Sequence, residues 1–404
     1  MNTRKNTRWL FLSAFVAAAL IVSACGGAAT PAPGGGGGPT MRVSILNKDM
    51  TEDEIKAEIQ KEGSLVVANW TYTANDELVK QFTQHVKDTY GVDIQFTYEG
   101  SQAPSVYLTN LYAAQRAGNP SPYDVLAIEE NYWAEAMAND AVDSYLPSGL
   151  VPNQSLVLEQ FQRVPTAIAF QSTAFPAIVY NKKTAPFIAS FQDLADSRLK
   201  GRLTLPLPGD ITAGGFFLGV AAELGKDYKD AAQMKETVDW VVENIGPNVL
   251  KYTTDSSEMQ QLLRSGAVDA VSFWNSLARL EFFNGYPDTA LLLPANIFPA
   301  NGYLWIPKGA PHPVLAQIFI NWRLSPAVQF PNNWPIDKGP WNELSEGFLG
   351  PEYEGQVPDW FKNDYFNYFP TLEQIKTQFK AVDWNAYNAS ATEWQDYYAQ
   401  KLGQ

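Results

Sequence analysis

Apolar positions recur along this chain in two periods that alternate. Thr51-Glu52-Asp53-Glu54 sets a hydroxyl three residues before an acid, the reciprocal pairing that satisfies free N–H groups at a helix start. A helix is therefore predicted over 51–61, ended by Gly63. Ser64 to Asn69 (SLVVAN) is a short apolar run that reads as a buried strand. Asp76 to Thr89 places Leu78, Phe82 and Val86 on one helical face. Val92 to Tyr98 alternates as a strand, Ser105 to Ala117 reads as a helix, and Tyr123 to Ile128 as a third strand. Three such units in series predict a parallel sheet with helices on its faces. Ligands bind outside the carboxyl ends of strands in such sheets. Three segments share that rim: 69–72 (NWTY), 99–101 (EGS) and 129–133 (EENYW).

The pattern starts again near Pro176. Strands are predicted at Ala177–Tyr180, Leu203–Leu207 and Ala267–Phe273, the last ending at Trp274. Helices are predicted from Ala213, at Met234–Glu243 and at Glu258–Ser265. The chain then returns to the first unit through a strand at Gly302–Ile306 and a helix at His312–Leu324. An aromatic-rich tail from about Phe330 ends in a helix at Ala391–Leu402, expected to pack on the second unit. The expected fold class is α/β: a bilobed clamshell of two parallel-rich sheets flanked by helices. Residues 41–168 with 299–329 are expected to form lobe 1, and 169–298 with 330–404 lobe 2.

The N-terminus breaks this pattern. Arg4, Lys5 and Arg8 precede an uncharged apolar run, Trp9 to Val22, which is short for a membrane span. Val22-Ser23-Ala24-Cys25-Gly26 follows, small residues before a thiol that can accept a lipid. Residues 1–24 are expected to be a lipoprotein signal peptide and Cys25 the lipidated residue, with 25–40 a flexible Gly/Pro tether. Cys25 is the only cysteine, so an intrachain disulfide and a thiolate metal cluster are excluded.

Composition narrows the chemistry. The net charge is −14, without the basic stripe that nucleic acid requires. The acidity favours a cationic ligand through its field and also keeps a secreted protein soluble. There are two histidines, His85 and His312, and neither has a companion at metal-ligand spacing. No Gly-x-Ser-x-Gly elbow or phosphate loop is present. Tyr397-Tyr398, a conceivable iron pair, are adjacent on a helix and so do not share a face. No cofactor, no metal and no catalytic residue are expected, although a distant carboxylate pair for glycoside cleavage leaves no sequence signal.

Several stretches resemble the bacterial extracellular solute-binding proteins, and within them the spermidine/putrescine-binding receptors. They are EGSLVVANWTYTANDELVKQF, YDVLAIEENYWAEAM, YNKKTAPFIASFQDLADSRLKGRLTLP, LLRSGAVDAVSFWN, GYLWIPKGAPHPVLAQIFINWRLSP and EWQDYYAQKL. The resemblance implies a periplasmic-binding-protein-like fold that closes around a solute and hands it unchanged to an ABC permease. An extracytoplasmic monomer held to the membrane through Cys25 is expected. Receptors of that group hold an amine in an aromatic box with carboxylates at its ends. An ammonium gains about 0.5–2 kcal/mol over an aromatic face, and a buried charge needs a counter-charge.

Carried over by position, the resemblance points to Trp70, Tyr132, Asp210 and Trp274 as ligand-binding; Tyr72, one place early for the group's tyrosine, and Asn301, inside its Trp-x-Asp, are further candidates, with Glu99 and Glu130 on the predicted rim. It is incomplete. Thr73 stands where the group has a tyrosine, Ala213 where it has a second acid, and Ala300-Asn301-Gly302 where it has Trp-x-Asp. Glu129 or Glu130 would have to supply the missing carboxylate. A neutral or anionic solute remains open, with helix starts at 101–105, 214–215 and 255–257 as anion sites. So does a lipid-anchored hydrolase. Asp210 could equally be only a helix cap, and Trp70 and Trp274 only core.

Overall fold

The computed structural model describes residues 39–70, 76–171, 175–275, 277–278, 281, 285–325, 328 and 372–403. Cys25, most of its tether and Tyr72 lie outside the described residues.

The strands, in chain order, are β1 (Thr40–Val43), β2 (Lys48–Thr51), β3 (Ser64–Asn69), β4 (Gln95–Glu99), β5 (Val125–Glu129), β6 (Gln162–Arg163) and β7 (Ala167–Gln171). They continue as β8 (Pro176–Asn181), β9 (Leu203–Leu205), β10 (Val249–Tyr252), β11 (Ala270–Trp274), β12 (Thr289–Leu291) and β13 (Gly302–Trp305). The helices are α1 (Glu52–Glu62), α2 (Asp76–Tyr90), α3 (Pro104–Arg116), α4 (Glu130–Ala138) and α5 (Ile211–Glu223). They continue as α6 (Ala231–Trp240), α7 (Ser256–Arg264), α8 (Pro313–Arg323), α9 (Leu372–Gln378) and α10 (Trp384–Lys401).

The predicted capping box forms. Glu54 N–H donates to Thr51 Oγ1 at 3.3 Å, and Thr51 N–H donates to Glu54 Oε2 at 2.9 Å. Gly63 ends α1 at φ 62°, where a side chain would be strained. Beyond this helix two larger sheets organise the chain. One runs β4-β3-β5-β13-β7-β6, with β4, β3 and β5 parallel and the remainder antiparallel. The other runs β10-β9-β11-β8-β12, with β10, β9 and β11 parallel and β8 and β12 antiparallel.

Both sheets are thus mixed. The parallel half comes from strand–helix repeats, whose crossovers return each strand in the same direction. The antiparallel half comes from the β6–β7 pair, from β13, which enters between β5 and β7, and from β8 beside β11 with β12 beside β8. The chain crosses to the second sheet after Gln171 and comes back into the first at Gly302. The crossover expected at 168–169 falls inside β7, whose backbone pairs with β13 from Ala167 to Gln171. Within the tail expected in lobe 2, α10 packs Trp394 and Tyr398 into the second core. Ile375 of α9, by contrast, packs into the first.

Candidate functional site

Each sheet contributes the ends of its strands to one junction. Trp70 follows β3 and is 8% exposed, its ring 5.8 Å from Phe170 of β7. Asn69 Oδ1 accepts from the Trp70 N–H at 2.7 Å, and Asn69 Nδ2 bonds the Tyr98 hydroxyl, so β3 and β4 jointly fix where the tryptophan leaves the sheet.

Glu129, the last residue of β5, is partly exposed, but its Oε2 is enclosed and has no hydrogen-bond partner among the described residues. Burial pushes its carboxyl up to about 7, the Trp70 indole facing it pulls the other way, and the nearby Asp210 carboxylate raises it further. Asp210 stands at the start of α5, where it accepts the Thr212 N–H at 2.7 Å. Tyr132 belongs to the same neighbourhood. Burial, then Glu129, Glu135 and Asp210, push its phenol up to about 12. Tyr387 of α10 is raised by burial and by Asp210. An acid at the end of a first-sheet strand and one at the head of α5 therefore lie close enough for the second to act on the first.

Glu130 behaves differently. It is 3% exposed and Arg163 of β6 takes both bonds to Oε1, Nε at 2.7 Å and an NH2 at 2.6 Å. Asn301 Nδ2 reaches Oε2 at 3.4 Å, and Glu130 N–H donates to the Asn301 carbonyl at 3.0 Å. Arg163 also lies 5.4 Å from the Tyr303 ring, which stacks on Trp133 at 6.2 Å. A cleft of about 160 Å³ opens here, with Glu130, Arg163, Asn301, Phe379 and Lys380 in its walls. The Asn301 Oδ1 has no partner among the described residues.

The structure thus gathers Trp70, Tyr132 and Asp210 near Glu129, and bonds Glu130 both to Asn301 and to Arg163. Glu99 sits at the end of β4, but its carboxylate is occupied by the Ser101 N–H at 2.8 Å and the Ser101 hydroxyl. Trp274 ends β11, partly exposed, and no described contact ties it to this cluster. Arg163 and Tyr387 escaped the sequence analysis. A two-residue strand and an aromatic in a tail full of aromatics carry no local signal.

Two of the three anion sites are corrected. Asp210 caps α5, and Asp255 caps α7 by accepting from Ser257 and Glu258 at 2.8 and 3.0 Å, so a negative charge already fills both helix starts. Gly214 and Gly215 serve close packing instead. A Cβ on either would meet the Tyr387 hydroxyl or the Pro176 ring at 2.2 Å.

A second constellation lies at the amino ends of the parallel strands, opposite the ligand rim. Ser64 Oγ is 3.2 Å from His312 Nε2, and His312 Nδ1 is 2.9 Å from the fully buried Asp124 Oδ2. The order matches a hydrolytic triad. Asp124, however, also accepts the Val66 N–H at 2.7 Å and the His312 N–H at 2.9 Å. Those bonds tie β3 to the start of α8, which gives the group a structural task. Among the described residues no three of His, Cys, Asp or Glu gather to hold a metal, and no helix is long and apolar enough to cross a membrane.

Solved structures share this architecture. An ABC transporter protein from Clostridium perfringens superposes with a TM-score of 0.66 at 18% identity, covering 84% of this chain and 99% of its own. A spermidine/putrescine ABC transporter substrate-binding protein from Streptococcus pneumoniae gives 0.62 at 18%, with coverages of 84% and 99%. An extracellular solute-binding protein from Bordetella parapertussis gives 0.65 at 14%, with coverages of 85% and 99%. These establish the periplasmic-binding-protein-like fold. No curated protein sequence matches the chain. The sequence model of one family does match, over residues 68–330, a span that begins just before Trp70 and takes in Glu129, Asp210 and Asn301. The chain belongs to the bacterial extracellular solute-binding proteins.

Proposed function

We propose that this protein is the lipid-anchored receptor of an ABC importer and that it captures a cationic amine, a polyamine among the candidates, between a lobe built on the six-stranded sheet and one built on the five-stranded sheet. The observation that carries the ligand class is Glu129. A carboxylate with an enclosed oxygen that has no partner among the described residues, and with another carboxylate near enough to repel it, is a poor resting arrangement that an ammonium would relieve. Trp70 and Tyr132 supply faces for the cation and apolar surface for its methylene stem. Glu129 and Asp210 would stand for the acid missing near Asn301. The importer role follows the family, and the anchor follows Cys25 and its tether; the protein is expected to act as a monomer and to leave its solute unaltered.

A thermal-shift screen of putrescine, spermidine, amino acids, sugars and organic acids tests this. At a hundredfold excess over its dissociation constant a ligand stabilises by about 2.7 kcal/mol. Amines are expected to raise the melting temperature and to be recovered unchanged. A shift with an organic acid and none with either amine overturns the ligand class. Turnover of a screened compound, lost in Ser64→Ala, overturns the receptor role in favour of a hydrolase.

A further inference from the structure

We infer that Glu129 is the charge-selecting residue at the ends of the first sheet's strands and that capturing an ammonium there expels a proton from the protein. The inference rests on the amine reading above and adds a mechanism to it. The geometry is that of a carboxyl at the carboxyl end of β5, beside the Trp70 indole, whose Oε2 is enclosed and has no hydrogen-bond partner among the described residues.

Among the described residues, few titratable groups act on it. Asp210 comes from the head of α5 and Tyr132 from α4; Tyr387 of α10 stands by Asp210. Glu130, next in the chain, is neutralised by Arg163, and Glu99 at the end of β4 is bonded to Ser101. The charge that acts on Glu129 is therefore of its own sign, and burial works in the same direction. Burial, the larger of the two, together with Asp210 outweighs the Trp70 indole and the Glu129 backbone N–H, which favour the charged form, and the carboxyl is raised to about 7.

The exchange balances simply. The carboxyl O–H bond breaks and its proton passes to bulk water. The ligand ammonium, keeping all its own protons, takes the place beside the carboxylate. A neutral solute would need no such exchange, because the protonated acid could donate its hydrogen to a carbonyl. Proton release therefore separates an amine from a neutral ligand at the same residue.

The experiment is isothermal titration of the full chain with putrescine and spermidine, in two buffers of different ionisation enthalpy, from about pH 6 to about pH 8. The expected result is release of close to one proton per ligand at the acid end, fading at the alkaline end. Affinity should fall about tenfold for each pH unit below neutrality. Glu129→Gln should lose both the proton release and most of the affinity. Amine binding that releases no proton and does not change with pH overturns the inference and leaves the amine reading intact. Failure of both amines to bind at every pH overturns both.

A measurement on the empty protein adds a second check. An acid whose folded pKa is raised loses stability as pH climbs from its unfolded value to its folded one, because the folded state holds the proton more tightly. The wild type should therefore fall in melting temperature relative to Glu129→Gln between about pH 5 and about pH 7, then run parallel to it. Parallel curves throughout would show that the carboxyl is not held neutral, and the inference fails.

Discussion

At the scale of single residues, neighbours in the chain have opposite fates. Glu129 and Glu130 are adjacent acids, yet one is pushed up by burial with an acid nearby and the other is bound to a guanidinium. The reason is positional. Glu129 still belongs to β5, while Glu130 opens α4 and turns toward the β6 edge, where Arg163 is only 24% exposed. Removing one partner of a buried pair costs more than the pair contributes, because the survivor is left charged and unsolvated. Arg163→Ala is expected to destabilise the protein by about 3–5 kcal/mol, and adding Glu130→Gln should restore a large part of that loss. Urea denaturation of the two single variants and the double variant measures the cycle. Additive losses would show that the pair is not energetically coupled.

At the scale of elements, α5 is the piece on which the two halves of the junction depend. Its start presents Asp210, and its glycines let it lie close to β8 and α10. Phe216 and Phe217 fill the second core, Phe217 packing against Trp394 and Tyr398 at 5.3 and 4.8 Å. Gly215 has no room for a side chain, since an added Cβ would meet Pro176 Cγ at 2.2 Å, inside a rigid ring at the start of β8. Gly215→Ala is expected to cost about 1–3 kcal/mol by overpacking and, by shifting Asp210, to weaken amine binding. Thermal unfolding and titration calorimetry on that variant check both. Loss of stability with unchanged affinity would separate α5 packing from the site.

At the scale of the whole molecule, charge and topology act together. A net charge of −14 surrounds a junction where Asp210 acts on Glu129. Such a field raises the local concentration of a cation and is screened over about 10 Å at moderate salt. The association rate of putrescine, followed by stopped-flow tryptophan fluorescence, should fall as salt rises, with a smaller change in dissociation. A salt-independent association rate would argue for a neutral ligand. Topology supplies the junction itself. β13 returns the chain to the first sheet beside β5, and α4 lies against α10, so elements distant in sequence meet at the ends of the same strands.

Much of this was legible in the sequence because it depends on local periodicity. β3 runs over the predicted residues, Ser64–Asn69, the Thr51 capping box forms, and α2 and α8 end within a residue of their expected bounds. Hydrophobic patterns of two and three to four residues, caps and glycine stops act over a turn or a strand, so one segment suffices to read them. The short strands β6 and β12 and the β1–β2 pair were not legible, since two to four residues carry too little pattern. The site was readable only in part. Trp70, Tyr132 and Asp210 stand where strand ends and helix starts predict, but which acid is neutralised depends on Arg163, more than thirty residues beyond Glu130 in the chain and beside it in space. The sequence by itself determined the elements and the rim. Tertiary structure alone decided which charges on that rim meet a partner, because pairing and desolvation are set by distances that no local pattern encodes.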